Sequence, residues 1–248
     1  MAIPLLWVDE TPSTNAYVKE KFLSGEWTDA VALAAHRQTA GRGRLGRTWE
    51  SEPEQALALS VLVPRALPAA VTLGVGVAVG SAIEVTCGGN PAIKWPNDIL
   101  CNDRKIGGIL CEGIVGNRCG TVLGIGINVA QSADFFAEKG LPYGGSILSE
   151  TGVTVSVTAL AAAVVEAVEQ MLETLETSGF SAIKREFESR CVTLEKAVNV
   201  LSPSGEPLLC GTARGVDDDG NLLVADEAGK LHAVGAGEVS VRGVYGYA

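Results

Sequence analysis

Two strand-like runs in the middle of the chain carry glycine where a strand ordinarily wants bulk, and they restrict what can be built around them. Residues 105–111 hold Gly107-Gly108 in mid-run, and residues 122–129 hold Gly124 and Gly126 before reaching Asn128. Glycine weakens a strand interior, so it marks a place where a ligand or another backbone comes close to the sheet. Lys94 belongs to the same neighbourhood: it ends an apolar strand-like run, 91–95, that Pro96-Asn97-Asp98 interrupts. A lone ammonium is costly to bury, so Lys94 should face a carboxylate of the protein, with Asp98 the obvious partner, or an anionic ligand. Glycine-thinned strands beside a cation describe a flat pocket on a sheet.

Upstream stands Gly41-Arg42-Gly43-Arg44-Leu45-Gly46-Arg47, closed by Thr48 and Trp49, in a chain of formal net charge −10. Glycine lets backbone N–H groups turn toward a ligand, and arginine offers a permanent charge on a planar fork that fits carboxylate or phosphate oxygens. The stretch satisfies G-x-G-x-x-G and nearly makes a P-loop, but both need a helix after the loop. Here Glu, Ser and Pro53 follow without an apolar helical stripe, and a strand, 57–63, comes next. A solvated basic turn is the plain alternative, although three glycines make it costly to order. The favoured reading is a cationic flap that wraps an anionic small molecule, disordered until the ligand arrives because no apolar anchor precedes Trp49.

The remaining pattern is mixed. Ser13, Thr14 and Asn15 precede a short helical run, 16–23, closed by Gly25. They read equally as a helix cap and as a polar socket at a positive helix end. Residues 66–83 are uncharged and rich in Ala and Gly, with Pro68 suited to the first turn; a core helix on a sheet fits them better than a membrane span. Helices are expected at 157–175 and 180–188, and short strands at 197–201, 211–216, 221–225, 230–234 and 239–244. This change of period divides the chain into a larger α/β unit, 1–190, and a small barrel, 191–248.

Composition narrows the function. The chain is 47% apolar and 19% charged, enough for a substantial core, and its acidity argues against general nucleic-acid binding. Six cysteines without a C-x-x-C pair, and no secretory segment before Trp7, imply free thiols in a cytoplasmic protein. His36 and His232 lack cysteine pairs at zinc-finger spacing, so no metal-ligating residue is assigned.

Five motifs now stand in order along nearly the whole chain: the 41–47 loop, Lys94-Trp95-Pro96-Asn97-Asp98, Lys105-Ile106-Gly107-Gly108-Ile109-Leu110, Gly124-Ile125-Gly126-Ile127-Asn128-Val129 and Gly237-Glu238-Val239-Ser240-Val241-Arg242. This series resembles the successive motifs of biotin protein ligases. The resemblance implies an α+β fold of class II synthetase type, a central mixed sheet flanked by helices, followed by an SH3-like barrel. It implies ATP-dependent activation of biotin to biotinyl-5′-AMP and transfer to a lysine on a biotin carboxyl carrier protein domain of acetyl-CoA or acyl-CoA carboxylase. ATP with Mg²⁺ and biotin are then substrates, and no prosthetic group is held. Some family members carry an N-terminal DNA-binding domain; here the match starts almost at residue 1. With the negative charge this makes nucleic acid an unexpected partner, and the marginal length of the 66–83 stretch does the same for a membrane. A sheet edge offers a weak homodimer contact that nothing in the sequence requires.

The resemblance also implies roles. Ser13, Thr14, Gln38 and the Arg42 backbone match groups that hold the biotin ureido ring, and the expected biotin site further includes Asn15, Gly41, Gly43, Arg44, Lys94, Gly107, Gly108 and Gly126. Arg42, Arg47, Trp49, Asn97, Lys105, Asn128 and Arg242 are expected at the nucleotide. Lys94 and Arg44 are the expected catalytic pair, Lys94 reaching both the carboxylate and the α-phosphate. A lipoate-attaching enzyme and a non-catalytic biotin-binding module are the alternatives; the arginine loop and the 94–98 motif favour the biotin ligase.

Overall fold

The computed structural model describes residues 2–236 and 240–243, the last four by their backbone and by the side chain of Val241. The chain opens with β1 (Leu5–Thr11), α1 (Thr14–Ser24), β2 (Val31–Gln38), β3 (Ala56–Val63) and α2 (Val71–Cys87). Then come β4 (Ala92–Lys94), β5 (Asp98–Cys101), β6 (Arg104–Ile114) and β7 (Gly120–Asn128). Four helices follow: α3 (Ala133–Glu138), α4 (Ile147–Thr151), α5 (Val157–Ser178) and α6 (Ser181–Arg190). The last strands are β8 (Ala197–Leu201), β9 (Pro207–Val216), β10 (Leu222–Ala225), β11 (Leu231–Val234) and β12 (Ser240–Gly243).

The first seven strands form one mixed sheet in the order β1-β2-β3-β7-β6-β5-β4. Only β1 and β2 run parallel, with α1 as their crossover, and every other neighbouring pair is antiparallel. A parallel pair needs such a crossover because no tight turn can return the chain to the same end. Helices cover both faces. On one side α1 packs Val18 and Phe22 against Leu33, Leu62, Val122 and Ile114. On the other, α2, α5 and α6 bury the second set of strand residues, among them Leu57, Leu59, Ile125 and Ile127. Buried from both sides, β3 has no exposed residue along its length, as its run of apolar residues, broken only by Ser60, requires. The later strands form a five-stranded antiparallel sheet, β11-β10-β9-β8-β12, whose buried Val198, Ala213 and Leu222 belong to the same hydrophobic cluster as the main core.

Several boundaries differ from the sequence reading. β1 went unread, because an edge strand carrying two acids shows no alternation. The apolar helix starts at Val71, not near Pro68, whose carbonyl instead accepts Val71 N–H at 3.0 Å in a preceding turn. Its Gly74 admits α5, since a Cβ there would lie 2.9 Å from Met171 Sδ. Short helices α3 and α4 were not foreseen. Among the described residues no helix is long and apolar enough to cross a membrane.

The far edge of the sheet is closed by the segment after α6. Val192 N–H donates to the Ile93 carbonyl at 2.9 Å, Trp95 N–H donates to Thr193 Oγ1 at 3.0 Å, and Trp95 Nε1 donates to the Gly220 carbonyl at 3.1 Å. Lys94 therefore sits between two residues pinned by the C-terminal part of the chain. Thr193 is 2% exposed, so losing its hydroxyl would strand the Trp95 N–H without a partner. Thr193→Val should reduce stability by about 1–3 kcal/mol, the cost of an unsatisfied buried donor, read from the urea midpoint.

Candidate active site

Strand register creates the site. Ala58 pairs with Gly126, Gly126 with Gly108, Gly108 with Asp98, and Asp98 with Lys94. Directly paired residues share a face, so this transverse row presents a methyl group, two bare glycines, a carboxylate and an ammonium in line. The next row on that face joins Ser60 to Gly124 and Gly124 to Leu110. The result is a trough across β3, β7, β6 and β5, with a cavity of about 350 Å³ above it. That volume suits a small organic ligand.

One end of the trough lies at the carboxyl ends of the parallel strands, where α1 begins. Ser13 caps the helix by accepting Ala16 N–H at 3.5 Å. Thr14 N–H donates to Gln38 Oε1 at 2.9 Å, which commits that amide oxygen. Ser60 Oγ stands 2.7 Å from Thr14 Oγ1 and 2.6 Å from Asn15 Oδ1. An amide oxygen only accepts, so the Ser60 proton goes to Asn15. Asn15 Nδ2 donates to the Leu110 carbonyl at 3.1 Å and to Glu112 Oε2 at 2.7 Å. Ser13 is thus both cap and socket wall, and Thr14 and Asn15, in the first turn, are socket wall alone. Asn15 fills the space over Gly124, where a Cβ would lie 2.4 Å from its Oδ1.

The arginine loop is a small hairpin over the trough. Arg42 bridges Thr48, Gly43 N–H donates to the Arg47 carbonyl at 2.7 Å, and Trp49 N–H donates to the Gly41 carbonyl at 2.9 Å. Leu45 and Gly46 turn at its tip with φ of 55° and 72°. These backbone bonds define the hairpin conformation. Arg44 Nη1 donates to Asn97 Oδ1 at 2.9 Å, and its Nη2 donates to the Ala236 carbonyl. Burial lowers the Arg44 pKa from its ordinary value, yet a guanidinium keeps its charge at neutral pH. Trp49 lies over the bare positions: a Cβ on Gly126 would meet its ring at 2.6 Å, and one on Gly108 at 3.1 Å. Lys105 Nζ stands 5.7 Å from that ring's centroid and 2.6 Å from Asp98 Oδ1.

Of the expected biotin residues, Ser13, Thr14, Asn15, Gln38, Arg42 and Gly43 line this cavity, as do Arg44, Lys94, Gly108 and Gly126. So do Arg47, Trp49, Asn97, Lys105 and Asn128 from the nucleotide set. Two expected residues do not. Gly107 pairs with Ile99 and Ile127 on the helix-covered face, one position out of phase with the trough. Gly41 lies under the hairpin instead, where a Cβ would stand 2.5 Å from the Trp49 carbonyl. Asp98, opposite Lys94 in the strand register, also holds Lys105 on Oδ1. Arg242 is placed by its backbone on β12 opposite Asn199; its side chain, and Gly237, Glu238 and Val239, lie outside the described residues.

Sequence reading missed Ser60, Glu112 and the 141–144 segment. Ser60 had a signal, a lone hydroxyl in an otherwise apolar strand. The segment had none: it joins the wall because Lys105 N–H donates to the Tyr143 carbonyl at 2.7 Å, a contact set by tertiary structure. Burial pushes the nearby Cys111 thiol up to about 12, so it stays protonated and is a poor nucleophile.

A mixed sheet bearing a cation-ended trough under an arginine hairpin defines a small-molecule site built for an anionic ligand. The chain belongs to the biotin/lipoate A/B protein ligase family, whose model matches residues 7–129, and the biotin protein ligase C-terminal domain model matches 193–242. Within the family the similarity is to biotin ligases. The chain is 32% identical over 240 residues to the biotin–[acetyl-CoA-carboxylase] ligase of Mycobacterium tuberculosis, covering 94% of this chain and 86% of that protein. The Paracoccus denitrificans enzyme of that name is 32% identical over 242 residues, covering 94% and 98%. The biotin protein ligase of Aquifex aeolicus, solved with biotin and ATP, superposes with a TM-score of 0.83 at 28% identity, covering 97% of this chain and 99% of that one.

The trough tolerates no added bulk on its second row. Gly124→Ala would drive a methyl into Asn15 and should cost about 1–3 kcal/mol, the usual range for overpacking, measured by denaturant unfolding.

Proposed function

We propose that the chain joins biotin to ATP as biotinyl-5′-AMP and then passes biotin to a lysine of a carrier domain of acetyl-CoA carboxylase. The observation that carries this reading is the row that ends a bare trough in the buried Lys94, 6% exposed, beneath a three-arginine hairpin. Ser13, Thr14 and Gln38, with the Arg42 backbone, receive the ureido ring at the α1 end. The valeryl chain runs toward Lys94 once the Trp49 ring leaves its place over Gly126 and Gly108, and its carboxylate reaches that ammonium.

A carboxylate oxygen attacks the α-phosphorus, a P–O bond forms, and pyrophosphate leaves with the electrons of the bond it gives up. Two anions must meet, so catalysis is mainly positioning and charge stabilisation. Lys94 and the arginines supply fixed positive charge in a site the hairpin shelters from water. Arg47, Trp49, Asn97, Lys105, Asn128 and Arg242 form the nucleotide side. Among the described residues no group of three or more His, Cys, Asp or Glu could hold a metal ion. Mg²⁺ fits this site as a passenger on the triphosphate, where it would neutralise phosphate charge. In the second step the acceptor amine attacks the acyl carbon, loses its proton, and AMP departs; no enzyme nucleophile is needed. On this reading residues 191–248 form an SH3-like barrel beside a catalytic unit, 1–190, and the enzyme works in the cytoplasm.

Mass spectrometry of a carrier domain incubated with the chain, biotin, Mg²⁺ and ATP tests the reading: a biotin adduct supports it, and no adduct without adenylate refutes it. Lipoate in a parallel reaction should give none. Lys94→Ala should slow pyrophosphate release by roughly 10²–10³-fold, the loss typical of one transition-state donor.

A further inference from the structure

Glu112 shares the face of the trough yet has no part in the proposed chemistry. It lies on β6 with its side chain 26% exposed, in a second cavity of about 580 Å³ that runs beneath the hairpin. Its carboxylate adds a charged link between the hairpin and the floor, at the α1 end and away from the Arg44–Asn97 contact. Arg42 Nη2 in the hairpin donates to Oε1 and Oε2 at 3.3 and 3.4 Å, while Asn15 Nδ2 in the floor donates to Oε2 at 2.7 Å. From Asn15 the polar chain continues through Ser60 to Thr14 and Gln38.

We propose that Glu112 is a positioning residue that tethers the Arg42 side of the arginine hairpin to the floor and so, with the Arg44 anchors, helps keep it over the trough before any ligand is present. The consequence for activity rests on the ligase reading; the tether does not. Arg42 is half exposed, so solvent and salt screen the pair and the tether is weak. Weakness suits a cover that must open to admit substrates and release products. Asn15 is also held by the Leu110 carbonyl at 3.1 Å, so Glu112→Gln leaves the floor anchored and a side-chain oxygen in place. What it removes is the charge toward Arg42.

The hairpin carries its own probe, because trypsin cuts after arginine and Arg47 is exposed. Without ligand, at low ionic strength, Glu112→Gln should be cut after Arg47 about two- to five-fold faster than wild type, the range an exposed ion pair supplies. Added salt should raise the wild-type rate toward that of the variant and leave the variant unchanged. Hydrogen exchange separates this from general destabilisation: protection should fall in residues 42–48 and not along β6. Equal cleavage rates at low salt, an identical salt response in both proteins, or exchange rising along β6 as much as in the hairpin would each overturn the tether. With biotin and ATP, the variant should release about two- to five-fold more adenylate into solution, by the same loss of an exposed pair. If wild type makes no adenylate, the ligase reading falls while the ligand-free measurements still judge the tether.

Discussion

The site depends on register. Side chains of paired residues share a face, and a slip of one residue would send every one of them to the other side. The pairing of Ala58, Gly126, Gly108, Asp98 and Lys94 is therefore what makes scattered glycines into a continuous trough with a cation at its end. Gly107 shows the sensitivity: adjacent in sequence to Gly108, it faces Ile99 and Ile127 in the core. β3 helps fix that register, since burial of its core-facing leucines puts Ala58 and Ser60 on the face of the trough.

Much of this was legible in the chain. The glycine-thinned strands, the cap before α1, the long helix α5 and the small strands after α6 follow from period and turn residues. The trough's main walls followed once the motifs were taken together. What sequence hid was phase and partnership. A dipeptide such as Gly107-Gly108 does not say which member faces out, because β6 shifts register against β5. Lys94 and Lys105 were both visible as cations near Asp98, but the contact of Lys105 with that carboxylate depends on reach from β6 to β5. The contacts of the hairpin were likewise out of sight: Asn97 and the Ala236 carbonyl, which anchor Arg44, lie far along the chain from it.

Those anchors tie the two sheets to one chemistry. Arg44 reaches from the hairpin to the end of the second sheet, and Trp95 is held by Thr193 and Gly220 from the same part of the chain. Both connections flank Lys94. A rigid support matters at this position because a buried ammonium has many rotamers to lose, and positioning contributes to rate only when that loss is met before the reactants arrive.

Charge closes the synthesis. A chain of net charge −10 repels a nucleotide and a carboxylate at long range. At physiological salt, however, exposed charges more than about 8 Å apart are largely screened from each other. An incoming anion in the trough is then governed by what lines it: Arg42, Arg44, Arg47, Lys94 and Lys105, against Asp98 and Glu50. Asp98 is occupied by Lys105, and Glu50 lies 3.3 Å from Lys139. Glu112 beneath the hairpin is engaged with Arg42. The local carboxylates are thus spent on holding cations and segments in place, and the surplus positive field is directed at the trough.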